Sequence, residues 1–260
     1  MEMKGLMGGF YRISEWIMRL SGINLLWLIC SLPFVFLIFS QLLYLAGQTD
    51  QVVYSSLYEV LAGLLIPMAV APFTLFPATS AMFSVARKWA MGDGDIPIFK
   101  SYFRYYKANY KQAMLGGLFF VIAFIVIVIN IQFYADQQSG LAVLNYVFLF
   151  LLLLLLGAMF NFFCYMAHFE MGFGGILKNS LLFTIARPFN TVYMLFMNIA
   201  VMYISFFKFT FLIPFFMGSL IAIVSFWGFL RSIQRIQDKA ERLREKEEEE
   251  QESKRSEGEE

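Results

Sequence analysis

Read for the alternation of apolar and polar positions, the chain falls into long apolar stretches separated by short charged ones. Six runs hold no Asp, Glu, Lys or Arg: Ile23–Ala46, Val60–Phe83, Ala113–Phe133, Leu141–Ala167, Phe189–Phe207 and Phe209–Leu230. A helix needs about 20 apolar residues to cross a hydrocarbon core of ~30 Å. Each run is near or above that length. Strands would show period two, whereas Phe148–Leu156 is apolar at every position, so closed-barrel spans are excluded. The pattern therefore predicts an all-α, polytopic membrane protein with six transmembrane helices. The segment from Thr191 to Leu230 carries one charge, Lys208. A single helix of that length would reach ~60 Å, so a hairpin with Lys208 at its tip is expected, with Pro214 accommodating irregular backbone beside it.

Composition agrees. Of 260 residues 59% are hydrophobic and 15% are charged, with 31 phenylalanines; soluble domains carry about 25% charged residues. The first apolar run is too long for a cleavable signal peptide, whose apolar core has about 7–15 residues, and is read as a retained span. Cys30 and Cys164 lie inside apolar runs without CxxC spacing, as packed thiols.

The net charge of +1 conceals a segregation. With alternate segments assigned to alternate faces, 19 Lys and Arg lie on one side and one, Lys208, on the other. The positive-inside rule then predicts both termini in the cytoplasm. Residues 1–22 read as an interfacial segment, with Phe10, Ile13, Trp16, Ile17 and Leu20 on one face. Residues 231–260 form a charged tail whose Glu-rich end is expected to be solvated and partly disordered.

The sharpest local signal is Pro97–Gln112. Phe99, Tyr102, Phe103, Tyr106 and Tyr110 form one helical stripe; Lys100, Arg104, Lys107 and Lys111 form a second beside it. An aromatic stripe flanked by bases suits an in-plane amphipathic helix with interfacial, lipid-facing residues on an anionic inner leaflet. Its aromatics form a lipid stripe rather than a nucleic-acid stacking groove, and no nucleic-acid partner is expected. The turn Met91–Asp95 lacks the ligand series of a calcium loop and reads as solvated. In the second run, Pro67, Pro72 and Pro77 are candidate helix-break positions. Glu170–Asn190 reads as an interfacial connector between the fourth and fifth spans, able to dock a partner.

No span carries an ionisable residue of the kind proton relays use. The single histidine, His168, has no second histidine for metalloprotease spacing. Phosphate-cradling glycine motifs are absent as well. No catalytic residue, cofactor site or metal site is assigned, and a non-enzymatic protein is expected.

The chain resembles the YesL family of bacterial membrane proteins, a group defined by a domain of unknown function. The resemblance is carried by Tyr11-Arg12-Ile13-Ser14-Glu15-Trp16 before Asn24-Leu25-Leu26-Trp27. It is carried further by Phe76-Pro77-Ala78-Thr79-Ser80-Ala81-Met82-Phe83, then Arg87-Lys88-Trp89, Gly92 and Pro97–Phe103. It covers most of residues 5–235. It implies the plasma membrane of Gram-positive-type bacteria and genes near carbohydrate ABC transporters, and supplies no catalytic residues. The leading expectation is an accessory to carbohydrate uptake or its regulation, with a carbohydrate ABC transporter or sensor component as partner. The alternative is a small-solute transporter or channel built around the proline-kinked span.

Overall fold

A computed structural model describes residues 6–47, 57–94, 96–135 and 143–258. Helices form throughout: α1 Leu6–Cys30, α2 Leu32–Gly47, α3 Leu57–Val70, α4 Leu75–Ala90, α5 Ile98–Ala135, α6 Val143–His168, α7 Phe173–Ala186, α8 Pro188–Phe207, a π-helical turn Ile213–Met217, and α9 Gly218–Gly258. Among the described residues, five helices are long and apolar enough to cross a membrane. The count becomes six when α3 and α4, bent by 54° across their break, are taken as one crossing.

The fold departs from the sequence reading in four places. The run Ile23–Ala46 is two helices, interrupted at Ser31, because Pro33 has no N–H to give to the preceding turn. The interruption is slight: the Ser31 amide donates to the Trp27 carbonyl at 2.9 Å and the Val35 amide to the Ser31 carbonyl at 3.0 Å. Second, Pro97–Gln112 is no separate surface helix. It forms the first turns of the 38-residue α5 and runs without a break into the apolar half. No proline follows Pro97 there, and Gly116 and Gly117 alone do not end a helix. Third, α4 continues past Phe83 to Ala90. Fourth, α9 is helical through Gly258, where a disordered acidic end was expected; Glu, Lys, Arg and Gln are strong helix formers even in water. The two short loops opposite the basic segments, 47–59 and 134–140, lie largely outside the described residues, as do 1–5 and Asp95.

The packed core centres on α4. Nearly every side chain from Phe76 to Ala86 is buried. Ala78, Ser80, Ala81, Ser84 and Ala86 are small, so α1, α5, α6 and α9 approach this helix closely on all sides, as small residues permit between membrane helices. Its modest apolarity follows: protein, not lipid, is its surrounding. α4 ends in a left-handed glycine cap. Gly92 has φ +94°, the Gly92 amide donates to the Trp89 carbonyl at 3.1 Å, and the Asp93 amide to that of Lys88 at 2.9 Å.

The basic segments converge at one end of the bundle. Trp16 of α1 meets Trp89 of α4 edge-on at 5.8 Å. Gln112 of α5 donates to the Met171 carbonyl at 3.0 Å. The His168 ring lies 6.0 Å from Phe229 of α9. The far half is looser: α2 buries none of its side chains, and Phe36, Phe39, Leu42 and Leu43 stand exposed.

Candidate functional site

The proline-rich break and the aromatic stripe, far apart in sequence, meet. Pro67 lies inside α3, Pro72 in the break at Ala71–Thr74, and Pro77 in the first turn of α4. In a regular helix the Phe73 carbonyl would accept from the amide of residue 77, but Pro77 has none. The Tyr110 hydroxyl donates to that carbonyl instead, at 3.2 Å. One turn further on, the Tyr102 hydroxyl donates to the Ala78 carbonyl at 3.0 Å. Further along α4, Asn109 Nδ2 donates to Ser84 Oγ at 3.1 Å. From the other side, Trp27 Nε1 of α1 donates to Thr79 Oγ1 at 3.0 Å. α5 and α1 thus clasp α4 just beyond the bend.

The stripe expected to face lipid therefore divides. Tyr102 is fully buried, which corrects its lipid-facing assignment: α4 presents alanine and serine there, and the ring fills the space they leave. Tyr106 and Tyr110 are half-buried. Phe99 and Phe103 remain exposed and pack on each other at 4.8 Å. Lys100, Arg104, Lys107 and Lys111 are all exposed along the neighbouring face. The Arg104 guanidinium lies 5.0 Å from the Tyr105 ring centre. The basic stripe is thus offered outward while the tyrosines anchor the helix inward.

A second junction had no sequence assignment. Asn24 of α1, fully buried, inserts into the irregular start of α9. Its Nδ2 donates to the Ile213 carbonyl at 3.0 Å and the Pro214 carbonyl at 2.7 Å. Its Oδ1 accepts from the Gly218 amide at 2.9 Å and the Ser219 amide at 3.1 Å. The pairing fixes which amide atom is which and uses the full capacity of the side chain. A Cβ at Gly218 would lie 2.9 Å from Asn24 Oδ1, so glycine permits the approach. The available signal was a lone Asn in an apolar run together with a proline in another, and neither reveals the pairing.

Elsewhere, polar groups join helices pairwise. Asn161 Nδ2 donates to Thr184 Oγ1 at 2.9 Å; Asn198 Nδ2 donates to Ser225 Oγ at 2.8 Å. Asn161 Oδ1 is buried without a partner, and Thr184 keeps its own bond to the Ser180 carbonyl at 2.7 Å. Asn161→Leu is therefore expected to cost under ~1 kcal/mol in thermal unfolding of the detergent-solubilised protein, since along with two bonds, the one to Thr191 Oγ1 long at 3.4 Å, it removes an unpaired acceptor. A loss above ~2 kcal/mol contradicts that.

Apolar helices of spanning length, buried amides joined across them and lysine and arginine concentrated at one end define a polytopic helical membrane protein. The family described as "Protein of unknown function, DUF624" matches residues 20–131, the stretch holding Asn24, the break and its clasp. The uncharacterized protein YesL of Bacillus subtilis (strain 168) is 30% identical over 235 residues, covering 89% of this chain and 94% of the relative. YteU of the same organism is 27% identical over 225 residues (85% and 84%), and YesV 30% over 183 residues (70% and 84%). The chain belongs to this YesL-like family. No solved structure matches it.

Proposed function

We propose that the protein is a non-enzymatic accessory to carbohydrate uptake or its regulation. In this reading it sits in the bacterial plasma membrane with both termini in the cytoplasm. The observation that carries the reading is the exposed basic stripe Lys100, Arg104, Lys107 and Lys111 on a helix locked inward by Tyr102 and Tyr110. A rigidly held row of cations beside the aromatic pair Phe99 and Phe103 suits an anionic inner leaflet and the acidic surface of a membrane-bound partner. Lysine and arginine at one end favour the cytoplasmic side. The sugar connection rests on the family resemblance, which implies genes beside carbohydrate ABC transporters.

Two measurements test this. A reporter fused after Gly258 is expected to give a cytoplasmic signal; an external signal overturns the topology. Affinity capture of the full chain from native membranes is expected to recover a carbohydrate transporter or sensor component. Replacing Lys100, Arg104, Lys107 and Lys111 together by Gln should deplete that component. Capture of none, or equal capture by the variant, counts against the reading.

The alternative, a small-solute transporter or channel, draws on the 54° break between α3 and α4. The cavity of about 210 Å³ beside it is lined by apolar side chains alone, among them Phe34, Met68, Leu75, Phe76 and Phe120. Such walls suit an acyl chain better than a polar solute, and this reading is placed second.

A further inference from the structure

We propose that a cleft where α8 meets the middle of α9 binds a phosphate ester of net negative charge, one whose phosphate is not neutralised by a cation of its own. The cleft encloses about 540 Å³, and Arg187, Asn190, Tyr193, Arg231, Ser232 and Arg235 are among its walls; none of its lining residues is acidic. The ion pairs assigned among the described residues, Arg19 with Glu15 and Lys88 with Asp93, leave these three arginines without a carboxylate. Asn190 Nδ2 is buried here with no acceptor. The cost of a buried, unpaired donor is ~1–3 kcal/mol, and an anion in the cleft relieves it.

Two further features fit the same ligand. α8 begins here with Pro188 in its first turn and no side-chain cap, so the amides of Phe189 and Asn190 have no intrahelical acceptor; helix starts favour anions. Gly228 leaves the floor open: a Cβ there would lie 3.6 Å from the Tyr193 ring and 3.8 Å from Asn190 Oδ1. Three guanidiniums, an amide and two hydroxyls supply enough donors for a tetrahedral group with several acceptor oxygens.

The surroundings favour a lipid headgroup as the source of that phosphate. Phe189 at the rim is 91% exposed, and Val192, Phe196 and Ile199 continue one exposed lane along α8. Acyl chains laid in that lane would hang from a headgroup held by the arginines. On the opposite wall the Arg231 guanidinium stacks over Trp227, 3.4 Å from the ring centre, an arrangement that holds a cation at an apolar boundary.

Delipidated full-length protein in detergent is titrated with phosphatidylglycerol and with phosphatidylcholine by native mass spectrometry. Glycerol 3-phosphate is titrated separately by thermal shift. Saturable phosphatidylglycerol adducts exceeding phosphatidylcholine adducts place the phosphate on a lipid; a saturable shift with glycerol 3-phosphate alone places it on a soluble ester. Either supports the site, provided the variants respond. Arg187→Gln and the near-isosteric Asn190→Asp should each weaken binding by about tenfold or more, the loss of one charge-assisted hydrogen bond. Asn190→Asp decides alone if Arg187→Gln fails to fold. The α5 variant with four Gln should bind as wild type. Equal adducts of both lipids with no response to glycerol 3-phosphate, or equal loss in the α5 variant, overturn the proposal.

Discussion

Asn24→Leu is expected to be among the most destabilising single substitutions in the chain. The leucine has similar volume, so packing changes little; hydrogen bonding changes a great deal. Four backbone groups lose their bond to Asn24 at once: the carbonyls of Ile213 and Pro214 and the amides of Gly218 and Ser219. In a regular helix the Gly218 amide would reach the Pro214 carbonyl directly. The Asn24 amide stands between them, giving to one and taking from the other. Interhelical hydrogen bonds measured in membrane proteins average ~0.6 kcal/mol, whereas a buried group left unpaired costs ~1–3 kcal/mol. Four together give roughly 2 kcal/mol on the first figure and about 4 kcal/mol or more on the second. The measurement is thermal or denaturant unfolding in detergent, with lipid-exposed Leu25→Ala as control. A change below ~1 kcal/mol would show that the π turn needs no partner from α1.

The reason Asn24 holds this position lies in α9 itself. Pro214 and the π-helical turn disorder the hydrogen-bond ladder at the start of the last helix. Lipid offers no donor or acceptor to repair it. An amide with two donors and two acceptor sites on a neighbouring helix does so, and thereby joins the first and last helices of the bundle. The junction is nearly 200 positions long in sequence, since Asn24 and Gly218 are 194 apart. Nothing local in either segment announces it.

That distance also marks where sequence reading works and where it stops. The apolar runs are long, and length alone decides between crossing and not crossing; hence the helical architecture was legible. Boundaries were less so, because membrane helices here run past their apolar parts. α5 begins fifteen residues before its apolar run does at Ala113, since lysines and tyrosines propagate a helix well enough once it has started. Stripe assignment failed at Tyr102 for a different reason. A tyrosine packs as well against alanine and serine as against lipid, and only the small residues of α4 tell the two apart. Ala78, Ala81 and Ser84 were visible in the sequence; their pairing with Tyr102 was not. The arginine cleft was hidden in the same way, since Arg187 and Arg231 belong to separate segments and each, taken singly, obeys only the positive-inside rule.

Gly117→Val is expected to disrupt the clasp more than any single hydroxyl deletion there. A Cβ at Gly117 would lie 2.7 Å from the Pro72 Cα and 2.9 Å from the Phe76 Cγ. The first is backbone at the centre of the break, so it has little room to retreat. Gly116 next door is as tight: its Cβ would meet the Phe162 ring edge at 2.4 Å, and that ring is fully buried against Phe120 and Phe173. Overpacking of this kind costs ~1–3 kcal/mol, more where backbone blocks relaxation, so a loss of about 3 kcal/mol or failure to accumulate in the membrane is expected for Gly117→Val. Gly116→Ala and Gly117→Ala should both be destabilising, each by ~1–3 kcal/mol. Tyr110→Phe, which strips only the donor to the Phe73 carbonyl, should cost ~1 kcal/mol. Hydrogen exchange over residues 71–78 separates a local effect from a global one. In Tyr110→Phe faster exchange should be confined to that stretch, since the hydroxyl serves one carbonyl. Uniform acceleration across α4 and α5, or Gly117→Val melting as wild type, would mean that the bend is held by something other than the close approach of α5.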